Sequence, residues 1–490
     1  MSFCVPLGMP LGVRVRGRPL KAPAAPLQAP GPDAVTGIPV RSLRWIDDFF
    51  REAKDHIFAR EEDGVVILPP NQVYKANSTG IAIVRHLLSG GRAAQIPGIE
   101  LEGRAGQVAA FVADIRALYL GQPAADGRAP YESVPYSFTY TSLPILGEIA
   151  VTYRCNNACV FCYAGCGTAG CTGAPRSVTG STEISLAEAK EVIRVFKEDA
   201  KIPFFSFTGG EPLLRNDLED MIRYARRCGL QVNLITNGTR ASPRRAKSLY
   251  DCGLRTAQVS VEGPEAGTHD MLTERAGSFG ATLRGILNLQ QAGVSVQTNT
   301  TVTAVNEEQA PLMPRFLKSL GVTRFAMNLY VPARGSGSPE DHLLVPYSRA
   351  GAIIEAVRSA ARSESMTFYW YSPIPHCHYN TIAKGLGNKS CAAMDGLLSV
   401  SPSGDVLPCS SYPEPMGNLL SKGFREIWFS DRARHFKSKQ YAPVECAGCG
   451  SFVACQAACP LYWRSVGTAE IRNPCVSKVA AVTEVRQEWK

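Results

Sequence analysis

Three cysteines stand together in Cys155-Asn156-Asn157-Ala158-Cys159-Val160-Phe161-Cys162. Thiolates at i, i+4 and i+7 in a loop can converge on one metal centre. A four-iron, four-sulfur (4Fe–4S) cluster normally takes four cysteines, so three leave one iron open to a small-molecule ligand. A zinc site completed by Cys166 or Cys171, in the same Gly-rich stretch, is the alternative. A denser group follows near the C-terminus: Cys391-x12-Gly404-x4-Cys409, then Cys446-x2-Cys449-x5-Cys455-x3-Cys459, then Cys475. Seven thiols fill one set of four and leave a second one short, and Cys377 upstream brings the count to eight. Two Zn(Cys)4 sites fit that arithmetic equally well, so the count alone leaves the metal open.

The elements that must hold the first group alternate regularly. Apolar, β-rich runs fall at 148–153, 204–208, 231–236, 257–261, 295–302 and 325–331. Helical stretches fill the gaps, the first from Ser185, where Ser185 and Glu188 make a capping box. Six β–α units in succession predict an α/β core with a parallel sheet, open or partly closed as a (β/α)6 barrel. Ligands bind at the C-terminal strand ends of such sheets. The cysteines follow the first strand, Thr208-Gly209-Gly210-Glu211-Pro212 the second, Thr236-Asn237-Gly238 the third and Ser260-Val261-Glu262-Gly263 the fourth. A single Gly-containing turn means little. Four in register point to one site.

Ahead of this core, residues 43–121 predict a small α+β domain. A helix at 45–54 precedes strands at 56–60 and 65–68 around the acidic turn Glu61-Glu62-Asp63-Gly64. A strand at 72–75 and helices from Asn77 and over 107–120 complete it. Residues 122–146 read as a linker. Residues 1–42 read as a disordered tail, because residues 1–45 hold six Arg or Lys against Asp33 alone, with eight prolines. That tail carries much of the +9 net charge. The 490 residues, 45% hydrophobic and 19% charged, suit a soluble globular protein of about three domains. No apolar run approaches the ~18 residues of a membrane span. Sixteen cysteines without a secretory signal predict a reducing, cytoplasmic setting.

Cys155, Cys159, Phe161 and Cys162 match C-x3-C-x-aromatic-C, so about residues 147–332 resemble the radical S-adenosylmethionine (SAM) enzymes, with the barrel domain assigned to 147–365. The resemblance implies that SAM chelates the open iron through its amino and carboxylate groups. It places the backbone of Gly209, Gly210 and Glu211 at the SAM amine, Ser260 and Asn299 at its ribose or carboxylate, and Phe161 at its adenine. Electron transfer from the cluster would then release a 5′-deoxyadenosyl radical. The seven C-terminal cysteines resemble the SPASM domain, assigned here to 366–490. That likeness implies two auxiliary 4Fe–4S clusters, one on Cys377, Cys391, Cys409 and Cys459, the other on Cys446, Cys449, Cys455 and Cys475. The hairpin at Asp63-Gly64 and the segment from Val73 to Gly80 resemble the winged-helix-like peptide-recognition domains of pyrroloquinoline quinone biosynthesis. Such domains add a leader peptide to a sheet edge.

Together these readings predict a radical SAM enzyme with three 4Fe–4S clusters. It would crosslink or oxidise a precursor peptide, fed by an electron donor such as flavodoxin or ferredoxin, with no membrane partner and nucleic acid disfavoured. A small-molecule cofactor precursor such as a tetrapyrrole is the alternative substrate, and a non-catalytic iron–sulfur DNA-binding regulator the second alternative. No catalytic base stands out. His269-Asp270 reads as a loop brace.

Overall fold

A computed structural model describes residues 38–68, 72–120, 122, 141–165, 183–333 and 342–471. Cys166, Cys171, Cys475 and most of the expected tail and linker lie outside these residues. The chain divides into two compact units, residues 1–143 and 144–490.

In the first unit, β1 (Phe58–Arg60), β2 (Val65–Leu68) and β3 (Gln72–Lys75) form an antiparallel sheet with β2 in the middle. Helices Arg44–Ala53, Ser78–Leu88 and Arg104–Leu120 pack their apolar faces into a core that includes Ile46, Phe50, Val84 and Val112. Asn77 caps the second helix by accepting the Gly80 amide at 2.8 Å. The acidic turn is held from within. Asp63 takes both arms of the Arg60 guanidinium at 2.8 Å and also accepts the Ser142 amide at 3.0 Å. A bidentate pair shielded from water in this way is a strong anchor.

The second unit is built on a sheet of sequential parallel strands: β4 (Leu146–Ala150), β5 (Phe204–Thr208), β6 (Gln231–Thr236), β7 (Thr256–Ser260), β8 (Ser295–Val302), β9 (Arg324–Leu329) and β10 (Thr367–Trp370). β11 (Leu397–Val400) adds in parallel beside β4, and β12 (Asp405–Leu407) and β13 (Gly417–Asn418) follow antiparallel. The outermost strands, β10 and β13, do not pair with each other, so the ten-stranded sheet is open. Helices fill the crossovers, and Ser185 starts the first with reciprocal bonds to Glu188. Phe196, Phe205 and Phe207 pack edge to face at 5.5 and 4.9 Å in the core.

The strands fall where the apolar runs predict them, with two differences. The first strand ends at Ala150 rather than residue 153, because Thr152 and Arg154 turn their carbonyls to the Gly210 and Glu211 amides. The region from residue 366, where none of the six apolar runs falls, supplies β10 to β13. These strands are only two to four residues long, too short for alternation to announce them.

Candidate functional site

The chain leaves β4 as the loop that carries Cys155, Cys159 and Cys162, and backbone bonds grip this loop on both sides. The carbonyls of Thr152 and Arg154 accept the amides of Gly210 (2.7 Å) and Glu211 (2.9 Å). The amides of Ala158 and Val160 donate to Thr273 and Leu272 at 3.0 Å, on helix Ala266–Thr273. Cys155 Sγ accepts the Asn157 amide at 3.4 Å and lies 3.9 Å from Asn237 Nδ2. Burial pushes the Cys155 thiol up to about 11, and the charges of Glu211 and Cys162 add to this. Cys159 is raised further by burial, then by Glu262, Cys162 and Cys155. The three thiols therefore lie within electrostatic reach of one another. Such thiols ionise readily only beside a cation, which is the behaviour of a metal-binding set. Among the described residues, no three His, Cys, Asp or Glu side chains converge closely enough to close on a single ion.

Beside this loop the turn after β5 is shaped by two glycines. Gly209 sits at φ +135°, and a Cβ there would fall 2.2 Å from the Thr152 carbonyl oxygen; one on Gly210 would fall 2.4 Å from that of Arg154. The Gly210 and Glu211 amides are engaged by the cysteine loop. Among the described residues, no backbone N–H donates to the Gly209 or Gly210 carbonyls. The turn thus offers acceptors, which suit an ammonium. The Glu211 side chain is fully buried and structural: it accepts Leu213 N (2.9 Å), Thr236 Oγ1 (2.7 Å) and Asn237 N (2.7 Å). Its backbone is engaged too, the amide with the Arg154 carbonyl at 2.9 Å and the carbonyl with Leu214 N at 3.0 Å.

Ser260 and Asn299 face each other across β7 and β8. Asn299 Nδ2 donates to Asn328 at 2.7 Å, while its Oδ1 is buried without a partner. A buried acceptor left unpaired needs a donor, and a ribose hydroxyl is one. Phe161 is half-buried in the cysteine loop. Gly209, Gly210, Ser260, Asn299 and Phe161 thus lie on the strand ends and loops of one rim.

Three residues at this rim are not apparent from motif spacing. Glu262 is buried beside Cys159, accepts Thr301 N at 2.8 Å, and desolvation pushes it up to about 8. His269 Nδ1 accepts the Glu262 amide at 3.1 Å while Asp270 caps the next helix through Phe279 N at 2.7 Å, so this pair is indeed a brace. Glu148, within β4, accepts Ser399 Oγ at 2.6 Å and Ser410 N at 3.2 Å, and burial raises its pKa. A carboxylate inside an apolar strand was the available signal for Glu148.

The C-terminal thiols form two groups. Burial raises Cys409 and Cys459, Cys391 raises both further and Cys459 adds to Cys409, with Tyr441 against Cys391 and Cys459. Cys446, Cys449 and Cys455 form the other, and the Cys377 charge acts on Cys446 and Cys455. The His376 amide donates to Cys455 Sγ at 3.3 Å, which ties the Cys377 loop to this group. Gln456, Ala457 and Ala458 separate the two groups. All three are left-handed, at φ +55° to +57°. In a right-handed helix Cys455 and Cys459 would share a face at i, i+4; the left-handed run breaks that relation.

Residues 149–320 match the radical SAM superfamily, and residues 391–450 match the SPASM iron–sulfur cluster-binding domain. The chain is 31% identical to an AdoMet-dependent heme synthase of Oleidesulfovibrio alaskensis over 61% of its own length and 78% of the relative's. It belongs to the radical SAM superfamily. An AdoMet-dependent heme synthase of Methanosarcina barkeri is also 31% identical, over 63% of this chain and 88% of that relative. Mycofactocin maturase MftC of Mycolicibacterium smegmatis is 27% identical over 64% and 78%. SuiB of Streptococcus suis, solved with SAM, shares the fold at TM-score 0.60 and 16% identity, covering 84% of this chain and 98% of SuiB.

The protein is therefore a radical SAM enzyme with a SPASM-type region, a family that implies SAM, a 4Fe–4S cluster and auxiliary clusters. Neither domain match reaches the first unit. No helix among the described residues is long and apolar enough to cross a membrane.

Proposed function

We propose that this radical SAM enzyme acts on a tetrapyrrole in heme-type cofactor synthesis. The observation that carries this is the 31% identity to AdoMet-dependent heme synthases, over 78% and 88% of those relatives, against 27% for a peptide maturase. Bound at a reduced cluster, SAM supplies a radical able to take hydrogen from an unactivated carbon. Cys155, Cys159 and Cys162 would hold that cluster. The carbonyls of Gly209 and Gly210 would receive the SAM ammonium, and Ser260 and Asn299 its ribose or carboxylate, with Phe161 near the adenine. A cleft lined by Tyr153, Tyr163, Ser410, Ser411 and Tyr412 runs between the loop after Cys162 and the loop after Cys409. The auxiliary clusters held by the C-terminal cysteines would serve electron transfer, with flavodoxin or ferredoxin as the external donor.

The second reading is a precursor-peptide substrate, favoured by the first unit. Its three-stranded sheet has β1 and β3 each paired on one side only, the arrangement that strand addition needs. SuiB, which is also solved bound to its precursor peptide SuiA, matches 84% of this chain.

Anaerobic reconstitution followed by reduction with SAM tests both. About 12 irons per chain and 5′-deoxyadenosine formation are expected. Release that rises with an iron tetrapyrrole bearing carboxylate side chains, with a mass change in the tetrapyrrole, supports the first reading. A rise only with a candidate leader-bearing peptide supports the second. Absence of SAM cleavage overturns both.

A further inference from the structure

We infer that Arg324 and the hydroxyl of Tyr371 form a subsite for a carboxylate arm of the substrate, on the sheet face beneath the SAM rim. This rests on the proposed function and deepens its tetrapyrrole reading. Parallel strands covered on both sides are normally apolar on both. Here one face is not. Phe205 and Phe207 lie on the helix side, where Phe205 packs against Phe196. On the other face Glu148, Ser206, Asn233, Thr256 and Ser295 are register partners across β4 to β8. Further along β7 and β8, Gln258 pairs with Gln297 and Ser260 with Asn299.

This polar face has hydrogen-bonding capacity to spare. Thr256 Oγ1, Gln297 Oε1 and Asn299 Oδ1 are buried without a partner. Arg324 opens β9 and donates to Ser295 Oγ at 2.7 Å, which places it on the same face. It is only 9% exposed, yet among the described residues Ser295 takes the one hydrogen bond its side chain makes, and no carboxylate pairs with it. A guanidinium carries five donors, and a buried cation without a counter-ion is costly. The only acidic residue in β4 to β10 is Glu148, and Ser399 and Ser410 already occupy it.

Tyr371, directly after β10, supplies a second donor. Its hydroxyl oxygen accepts Gln297 Nε2 at 2.6 Å, and Gln297 Nε2 also donates to Gln258 Oε1 at 3.3 Å. Among the described residues the Tyr371 hydroxyl hydrogen has no acceptor. Burial raises the Tyr371 phenol, which keeps it protonated, and the Arg324 charge acts on it and on Tyr369. Guanidinium and hydroxyl are thus within electrostatic reach, and a carboxylate between them gains charge-assisted bonds from both. Gln297 Oε1 accepts, so it marks a place for a donor beside the carboxylate. At about 3.3 Å per residue, Gln297 lies about 7 Å below Asn299, and Arg324 about 13 Å below Asn328. A macrocycle with several carboxylate arms can present a carbon at the rim while one arm reaches down to this pair.

The test uses the reconstituted full chain with an iron tetrapyrrole bearing carboxylate side chains and with its methyl ester, binding being read by visible absorption. Arg324→Gln should weaken binding of the acid at least about thirtyfold and leave that of the ester unchanged. Tyr371→Phe should weaken the acid about fivefold. Equal losses for acid and ester, or no loss, overturn the subsite. If circular dichroism shows Arg324→Gln unfolded, Tyr371→Phe decides by the same comparison. Glutarate at millimolar concentration, with its neutral diamide as control, separates the subsite from the tetrapyrrole reading. It should raise the unfolding midpoint of the parent but not of Arg324→Gln. Glutarate stabilisation that needs Arg324, with no tetrapyrrole binding, sinks the tetrapyrrole reading and leaves the subsite standing. If neither ligand acts through Arg324, the subsite is overturned.

Discussion

The carboxylate of Glu211 accepts the backbone N–H of Asn237 at 2.7 Å, which joins the turn after β5 to the turn after β6. The same carboxylate also takes Thr236 Oγ1 at 2.7 Å and Leu213 N at 2.9 Å, so all its donors come from the scaffold. Asn237 in turn donates to Asn156 at 3.0 Å, in the cysteine loop. One buried side chain therefore couples the glycine turn, the third-strand turn and, through Asn237, the proposed cluster ligands.

Replacing Glu211 with Gln tests this coupling. The amide NH2 would face a donor that the carboxylate accepts, leaving buried groups unpaired at a cost of about 1–3 kcal/mol. We expect a lower unfolding midpoint and reduced iron in the SAM-cluster position, read by thermal denaturation and by iron assay.

Gly209→Ala should be more damaging locally. At φ +135°, with a Cβ 2.2 Å from the Thr152 carbonyl, the turn cannot keep its bond between Gly210 N and Thr152 O. SAM affinity, measured by equilibrium dialysis on the reconstituted protein, should fall at least about tenfold, or about 1.4 kcal/mol. Gly267→Ala, where a Cβ meets open space in helix Ala266–Thr273, should leave it unchanged.

The core strands and the four rim turns were legible in the sequence because parallel strands are continuous apolar runs and their turns follow at fixed places. The left-handed path between Cys455 and Cys459 was not. Spacing records which cysteines exist, but Gln456, Ala457 and Ala458 carry no sign of a left-handed path, alanine being the best right-handed helix former. Glu262 and His269 were each legible, in the fourth rim turn and as a loop brace, but the bond between them was not. Their partnership depends on a buried backbone bond across the loop after β7, which no periodicity marks.

His269 gives a pH test. Burial depresses its pKa from 6.5 to about 4. Above pH 6.5 both folded and unfolded states carry it neutral, and its contribution is fully present. Between 6.5 and 4 the unfolded chain binds a proton that the folded chain refuses, so stability falls as pH falls, by up to about 3 kcal/mol. His269→Asn keeps an acceptor near the Glu262 amide and cannot titrate. Urea denaturation at several pH values should show a shallower acid loss in the variant than in the parent. Equal slopes would sink the assignment.

Lys439 supports the Cys391 set from below. Its ammonium, with a side chain fully shielded from solvent, donates to the Cys391 carbonyl at 2.8 Å and pairs with Asp395 at 3.0 Å. Lys439→Met preserves length but removes the cation from a shielded carboxylate, and breaking such a pair costs about 3–5 kcal/mol. The loss should centre on the loop that presents Cys391. We therefore expect Lys439→Met to lose the same auxiliary signal as Cys391→Ala under paramagnetic resonance, with the Cys446 signal retained. Loss of both signals would mean that the two groups of thiols fold as one unit rather than on separate supports.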